Sequence, residues 1–204
     1  MRHAILIFMM ATMLGSPALA DHPGERLNEV TAEKEPGFEA IFGPGPDLDL
    51  VTPDGETLGL KDFADRIFLV NFRPASCTEA CDAQHRQLEK TVTSLNASPM
   101  RDMVGFVTVA EDAADIDTLD AENWSIVRSQ GSLEDLEARL AAVSERPSDD
   151  PMLFIFDRQG RQVGIFHGTD FEPLNLLMHI NGLTNAHPQP EPESFLDKVL
   201  GWFE

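Results

Sequence analysis

The chain is short of cysteine, short of cations and without a long apolar run outside its first twenty residues, and each shortage excludes something. Only 15 of its 204 residues are Lys or Arg, against 35 Asp or Glu, for a formal net charge of −20. Such a surface repels nucleic acid and anionic lipid at long range, so no nucleic-acid partner is expected. It favours solubility and cationic partners, metal cations among them. The acidic residues are scattered rather than blocked, and most of them read as a solvated face. Past residue 20 no segment approaches the ~20 apolar residues of a membrane-spanning helix. There is no internal repeat and no phosphate loop.

What is present suits one domain of ordinary size with tails, since apolar residues make up 42% of the chain. Residues 1–20 combine a basic start (Met1, Arg2, His3), an apolar run from Ala4 to Leu14 and the small-x-small triplet Ala18, Leu19, Ala20. This is the pattern of a cleaved secretory signal peptide, with the mature protein beginning near Asp21. No Cys follows the cleavage site, which excludes a lipoprotein anchor there. The expected location is periplasmic or otherwise exported, soluble after cleavage and without an integral membrane span.

Residues 21–46 are polar, end in Gly43, Pro44, Gly45 and Pro46, and read as an arm or linker on the surface. Residues 47–52 alternate as a strand, Pro53 to Glu56 carry turn chemistry, and residues 57–60 return as the second strand of a hairpin. The run Ile67, Phe68, Leu69, Val70, Phe72 predicts a buried strand. A helix follows to about Leu95. Residues 103–109 and 152–156 predict two further buried strands, and 124–127 a short one. Ser132 caps a helix that carries Leu133, Leu136, Leu140 and Val143 at helical spacing. After a turn at 157–160, residues 161–167 return as a strand, and 171–183 are helical. Residues 184–193 form a Pro-rich spacer and 194–204 an amphipathic helix. The predicted class is α/β, with a mixed central sheet, an N-terminal hairpin and helices on both faces. The main domain is placed at 47–183.

Both cysteines, Cys77 and Cys81, fall at the junction of the central strand and its helix. Only three residues separate them, so a bridge closes a very small loop and contributes little entropic stabilisation. A chain of this length has no need of such a staple. The pair reads as a redox couple or a soft-metal site. A helix N-terminus favours thiolate, and Arg73 adds to that effect while Glu79 and Asp82 oppose it. Cys77 is expected to attack and Cys81 to resolve in any exchange reaction.

The order of elements, with Pro151 just before an apolar strand that turns at Gly160, resembles the thioredoxin fold, a three-layer arrangement. The resemblance implies that Pro151 is cis and faces the cysteines. Within that superfamily the C-x-x-x-C spacing, the segments around Pro53–Gly55 and Leu60–Phe63, and Gly131-Ser132 before a helix resemble the Sco/SenC family of copper proteins of cytochrome oxidase assembly. That resemblance implies copper as the bound metal, Cys77 and Cys81 as ligands, and an apo-oxidase copper-site subunit as partner. The chain departs from the family in three ways. Thr78 and Asp82 stand where prolines are usual. Ala110, Glu111 and Asp112 replace an Asp-Pro. The loop 146–150, where the family's copper histidine belongs, holds no His, and Asp149 occupies that place with an oxygen ligand poorly suited to Cu(I).

Hairpin pairing puts His167 opposite residue 150 or 151, at the cysteine end of the sheet, as a candidate third ligand. His85 is expected on a partly exposed helix surface. No geometric argument brings His22, His179 or His187 to the pair. Three functions stay open: a copper chaperone using Cys77, Cys81 and His167; a periplasmic thiol–disulfide oxidoreductase acting on a client protein thiol; and a binding module with an inert disulfide.

Overall fold

The computed structural model describes residues 26–76, 79–111, 120–146 and 149–185. The predicted buried run becomes β4 (Ile67–Arg73), the strand on which the sheet is built. Its residues alternate between two apolar clusters, so both of its faces are covered. On one side it pairs in parallel with β5 (Val104–Ala110), Ile67 opposite Val104. On the other it pairs antiparallel with β7 (Met152–Phe156), Val70 opposite Phe154. Strand β6 (Trp124–Ser129) continues the parallel part beside β5, and β8 (Arg161–His167) folds back on β7. The predicted N-terminal hairpin is β2 (Leu50–Val51) and β3 (Thr57–Leu58), attached to β6. Its turn needs Gly55, whose φ of 87° lies in the left-handed region. Among the described residues the sheet has eight strands in the order β1-β8-β7-β4-β5-β6-β2-β3, with β1 at Phe38–Pro44.

Two layers of helix cover the sheet. Phe68, Val70, Phe72 and Phe154 pack toward Leu133, Leu136 and Leu140 of α3 (Leu133–Ala141). Ile67, Leu69, Leu153 and Phe166 pack toward Leu88, Val92 and Leu95 of α2 (Glu79–Asn96) and Leu176 and Ile180 of α4 (Pro173–Asn185). The expected three layers, mixed sheet and helices on both faces are all present.

From Leu27 onward the segment read as an arm departs from that reading. Residues Leu27–Lys34 form α1, which packs on α4, and β1 is an edge strand paired antiparallel with β8. The strand was hidden because its register shifts between Ala40 and Gly43 and because a carboxylate, Glu39, fills one of its buried positions. Residue 184 begins no spacer, since α4 runs to Asn185. The expected signal segment 1–20, the spacer from 186 and the helix 194–204 lie outside the described residues. No helix among the described residues is long and apolar enough to cross a membrane.

Candidate thiol–disulfide site

Cys81 is the third residue of α2, at the end of the sheet where β4 finishes. It is 2% exposed and disulfide-bonded, with its Sγ 3.7 Å from the carbonyl oxygen of Phe72. The chain's other cysteine, Cys77, lies outside the described residues. The cation expected to assist the cysteines is spent elsewhere: Arg73 Nη2 lies 2.6 Å from Asp82 Oδ1, so the charges before and after the pair neutralise one another. Glu111, at the end of β5, accepts a hydrogen bond of 2.9 Å from the Ala75 N–H and ties down the segment leading to the cysteines.

Pro151 is buried at the start of β7. No cis peptide bond occurs among the described residues, so the implied cis geometry is corrected to trans, the isomer an X–Pro bond takes by default by about 0.5–1 kcal/mol. The proline carbonyl accepts two hydrogen bonds, from the Gly168 N–H at 2.8 Å and from Gln84 Nε2 at 3.1 Å. Gln84 is one helical turn beyond Cys81 and on the same face. Pro151 thus reaches the cysteine helix through this amide, a residue the sequence reading did not single out.

His167 is opposite Met152, one place from the expected partner, because a bulge between Ile155 and Phe156 shifts the hairpin register. It sits at the cysteine end of β8, next to Gly168, whose carbonyl accepts Gln84 Nε2 at 3.2 Å. Its side chain shares a face with Ile165, the α3 side of the sheet, whereas α2 covers the other side. Nε2 lies 2.8 Å from Glu39 Oε2, so the N–H there donates to the carboxylate. Nδ1 is buried without a hydrogen-bond partner. Among the described residues no three His, Cys, Asp or Glu side chains cluster as metal ligands.

His85 is not the partly exposed residue expected. It is 5% exposed and its ring lies 4.8 Å from that of Trp124. The spacing of Cys81, His85, Leu88, Val92 and Leu95 is that of a core-facing stripe, and this signal was available in the sequence. Beneath α2, Trp124 Nε1 donates to Thr108 Oγ1 at 3.0 Å, and that hydroxyl donates to Asn71 Oδ1 at 2.8 Å. This chain of polar groups crosses three strands and was not foreseen. His179 is buried against Phe38 and Phe166 and bonds Thr31 Oγ1 at 2.9 Å.

No protein-family model matches the chain, and no curated protein matches it. Solved structures do. BsSco, a member of the Sco family of cytochrome c oxidase assembly proteins in which a disulfide switch was identified, matches with a TM-score of 0.57 at 10% identity, over 73% of this chain and 98% of that one. Copper-bound ScoI of Arabidopsis thaliana matches at 0.50 and 14%, over 70% and 99%. A thiol:disulfide interchange protein of the thioredoxin family from Chlorobium tepidum matches at 0.50 and 16%, over 72% and 99%. The fold is therefore thioredoxin-like, the one that Sco proteins and thiol:disulfide interchange proteins have in common.

Proposed function

We propose that the protein is an exported thiol–disulfide oxidoreductase whose working parts are Cys77 and Cys81. The observation that carries this reading is the disulfide-bonded, buried Cys81 in the first turn of α2. A client dithiol attacks Cys77 Sγ, and Cys81 leaves as a thiolate that takes up a proton. The client's second thiol then displaces Cys77 from the mixed disulfide. The client gains an S–S bond and loses two electrons and two protons, and the protein gains two thiols; the reverse reaction reduces a client disulfide. Pro151, which has no N–H to donate, shapes the groove that receives the client chain.

A second reading is favoured by the C-x-x-x-C spacing on a fold shared with copper-bound ScoI. In the reduced protein the two thiolates bind Cu(I) as cargo and deliver it to a copper-site subunit of cytochrome oxidase. Thiolates suit the soft ion, but the residues present fit it incompletely, since loop 146–150 holds no His or Cys and offers oxygen ligands only. His167, whose Nδ1 Glu39 leaves unused, lies on the α3 side of the sheet and would have to turn toward the cysteines to serve as a third ligand.

The two readings separate in one experiment on the reduced mature protein. Copper stoichiometry and affinity are measured beside Cys77→Ser and His167→Ala, and the dithiol couple is titrated against glutathione. Reversible two-electron exchange without copper retention establishes the oxidoreductase. Tight copper lost in Cys77→Ser establishes the chaperone, and loss in His167→Ala adds that residue to its shell.

A further inference from the structure

We infer that Gln84 is the positioning residue of the thiol–disulfide couple: its amide sets Cys81 at a fixed place relative to Pro151. The inference rests on the oxidoreductase reading above. Gln84 is fully buried, three residues after Cys81 on α2. Its Nε2 spends both hydrogens, one on the Pro151 carbonyl at 3.1 Å and one on the Gly168 carbonyl at 3.2 Å. Both partners are carbonyls and can only accept, so the amide orientation is forced. Pro151 and Gly168 are themselves joined by the Gly168 N–H to Pro151 carbonyl bond of 2.8 Å. A single side chain therefore ties the helix bearing Cys81 to the residue just before β7 and the residue just after β8.

The other end of the amide shows what this arrangement costs. Gln84 Oε1 is buried with no hydrogen-bond partner. A buried acceptor without a donor is unfavourable, and a methionine of similar shape would avoid it. That cost is set against the two hydrogen bonds its nitrogen makes. Pro151 has no N–H with which to reach α2 for itself, so its carbonyl is the handle by which the helix can hold it. Displacing reacting groups by about 1 Å is enough to slow a reaction about a hundredfold. Loss of the tie lets α2 and the Pro151 segment shift relative to one another, and both the exchange rate and the oxidised–reduced equilibrium follow.

The test compares wild type, Gln84→Met and Val92→Ala, the last a buried position of α2 outside the tie. Thermal midpoint, equilibrium with reduced and oxidised glutathione, and the rate of reduction of insulin disulfides are measured for each. The expected result is a fall in rate of about tenfold or more in Gln84→Met, with a displaced glutathione equilibrium, while Val92→Ala loses stability and keeps both. If Gln84→Met does not fold, Gln84→Asn, which keeps the amide but shortens its reach, takes its place in the comparison. A glutamine variant that loses stability alone and keeps the wild-type rate and equilibrium overturns the inference and leaves the oxidoreductase reading intact. A wild type that neither equilibrates with glutathione nor reduces insulin overturns both.

Discussion

His167 and Glu39 meet across the β8–β1 pair, Nε2 to Oε2 at 2.8 Å, each side chain about nine-tenths buried. The same carboxylate accepts Ser144 Oγ at 2.6 Å and the Glu145 N–H at 2.8 Å. One side chain of the edge strand thus holds the hairpin and the segment that follows α3.

Burial of Glu39 pushes its carboxyl up, but the hydrogen bonds from Ser144, Glu145 and His167, with the imidazole's charge, outweigh burial and hold it below the usual value of 4.5. A depressed carboxylate contributes stability above the unfolded pKa that is lost as pH falls through the lower folded value. Glu39→Gln is expected to cost about 1–3 kcal/mol at neutral pH. Below pH 4.5 its urea-unfolding free energy falls less steeply with pH than that of the wild type.

His179 titrates with the same sign for a different reason. Burial lowers its pKa from 6.5 to about 4. Between those values the unfolded chain binds the proton and the folded one does not, so stability falls as pH drops from 6.5 toward 4 and the loss is complete below that. At 1.36 kcal/mol per pKa unit the full effect is about 3 kcal/mol. Urea unfolding of wild type and His179→Asn at pH 7 and pH 4 measures it: the variant loses stability at pH 7 and lacks this part of the acid dependence.

Reduction of the disulfide is expected to cost little. A five-residue loop from 77 to 81 gives about 2 kcal/mol in the chain-entropy account, below the ~3 kcal/mol of a fifteen-residue loop. Unfolding of oxidised and reduced protein at pH 7 checks this, and a loss well above that figure would mark the bridge as a structural staple.

Ser132 caps α3 by accepting the Asp135 N–H at 3.2 Å. Ser132→Ala is expected to lower stability by about 1 kcal/mol, read from the urea midpoint, without changing thiol exchange.

The sequence made the central strands legible because residues 67–72, 103–109 and 152–156 are apolar on both faces, as strands covered on both sides must be. Turns at Gly55 and Gly160, both with positive φ, and the Ser132 cap were legible from local chemistry alone. Strand β1 was not, since its buried Glu39 makes sense only once Ser144 and His167 are beside it. For the same reason Gln84 and the Asn71–Thr108–Trp124 chain escaped notice: polar residues inside a core are justified by partners far away in sequence. His85 was legible and was missed, because its polarity outweighed its place in an apolar stripe. Val143 shows the opposite limit. It continued the α3 stripe, but the helix ends at Ala141 and the valine is 43% exposed.

Strand β1 has one more consequence, for the assembly state of shortened chains. It occupies the free side of β8, and its own outer margin ends in Gly43 and Pro44, where the proline offers no N–H. A chain cut to begin at Asp47 would keep the cysteine helix and the hairpin yet present β8 as a bare ladder of donors and acceptors, the template on which a second copy adds a strand. The residues that looked like a tether therefore cover the β8 edge, and a shortened chain that keeps that edge paired starts before Phe38.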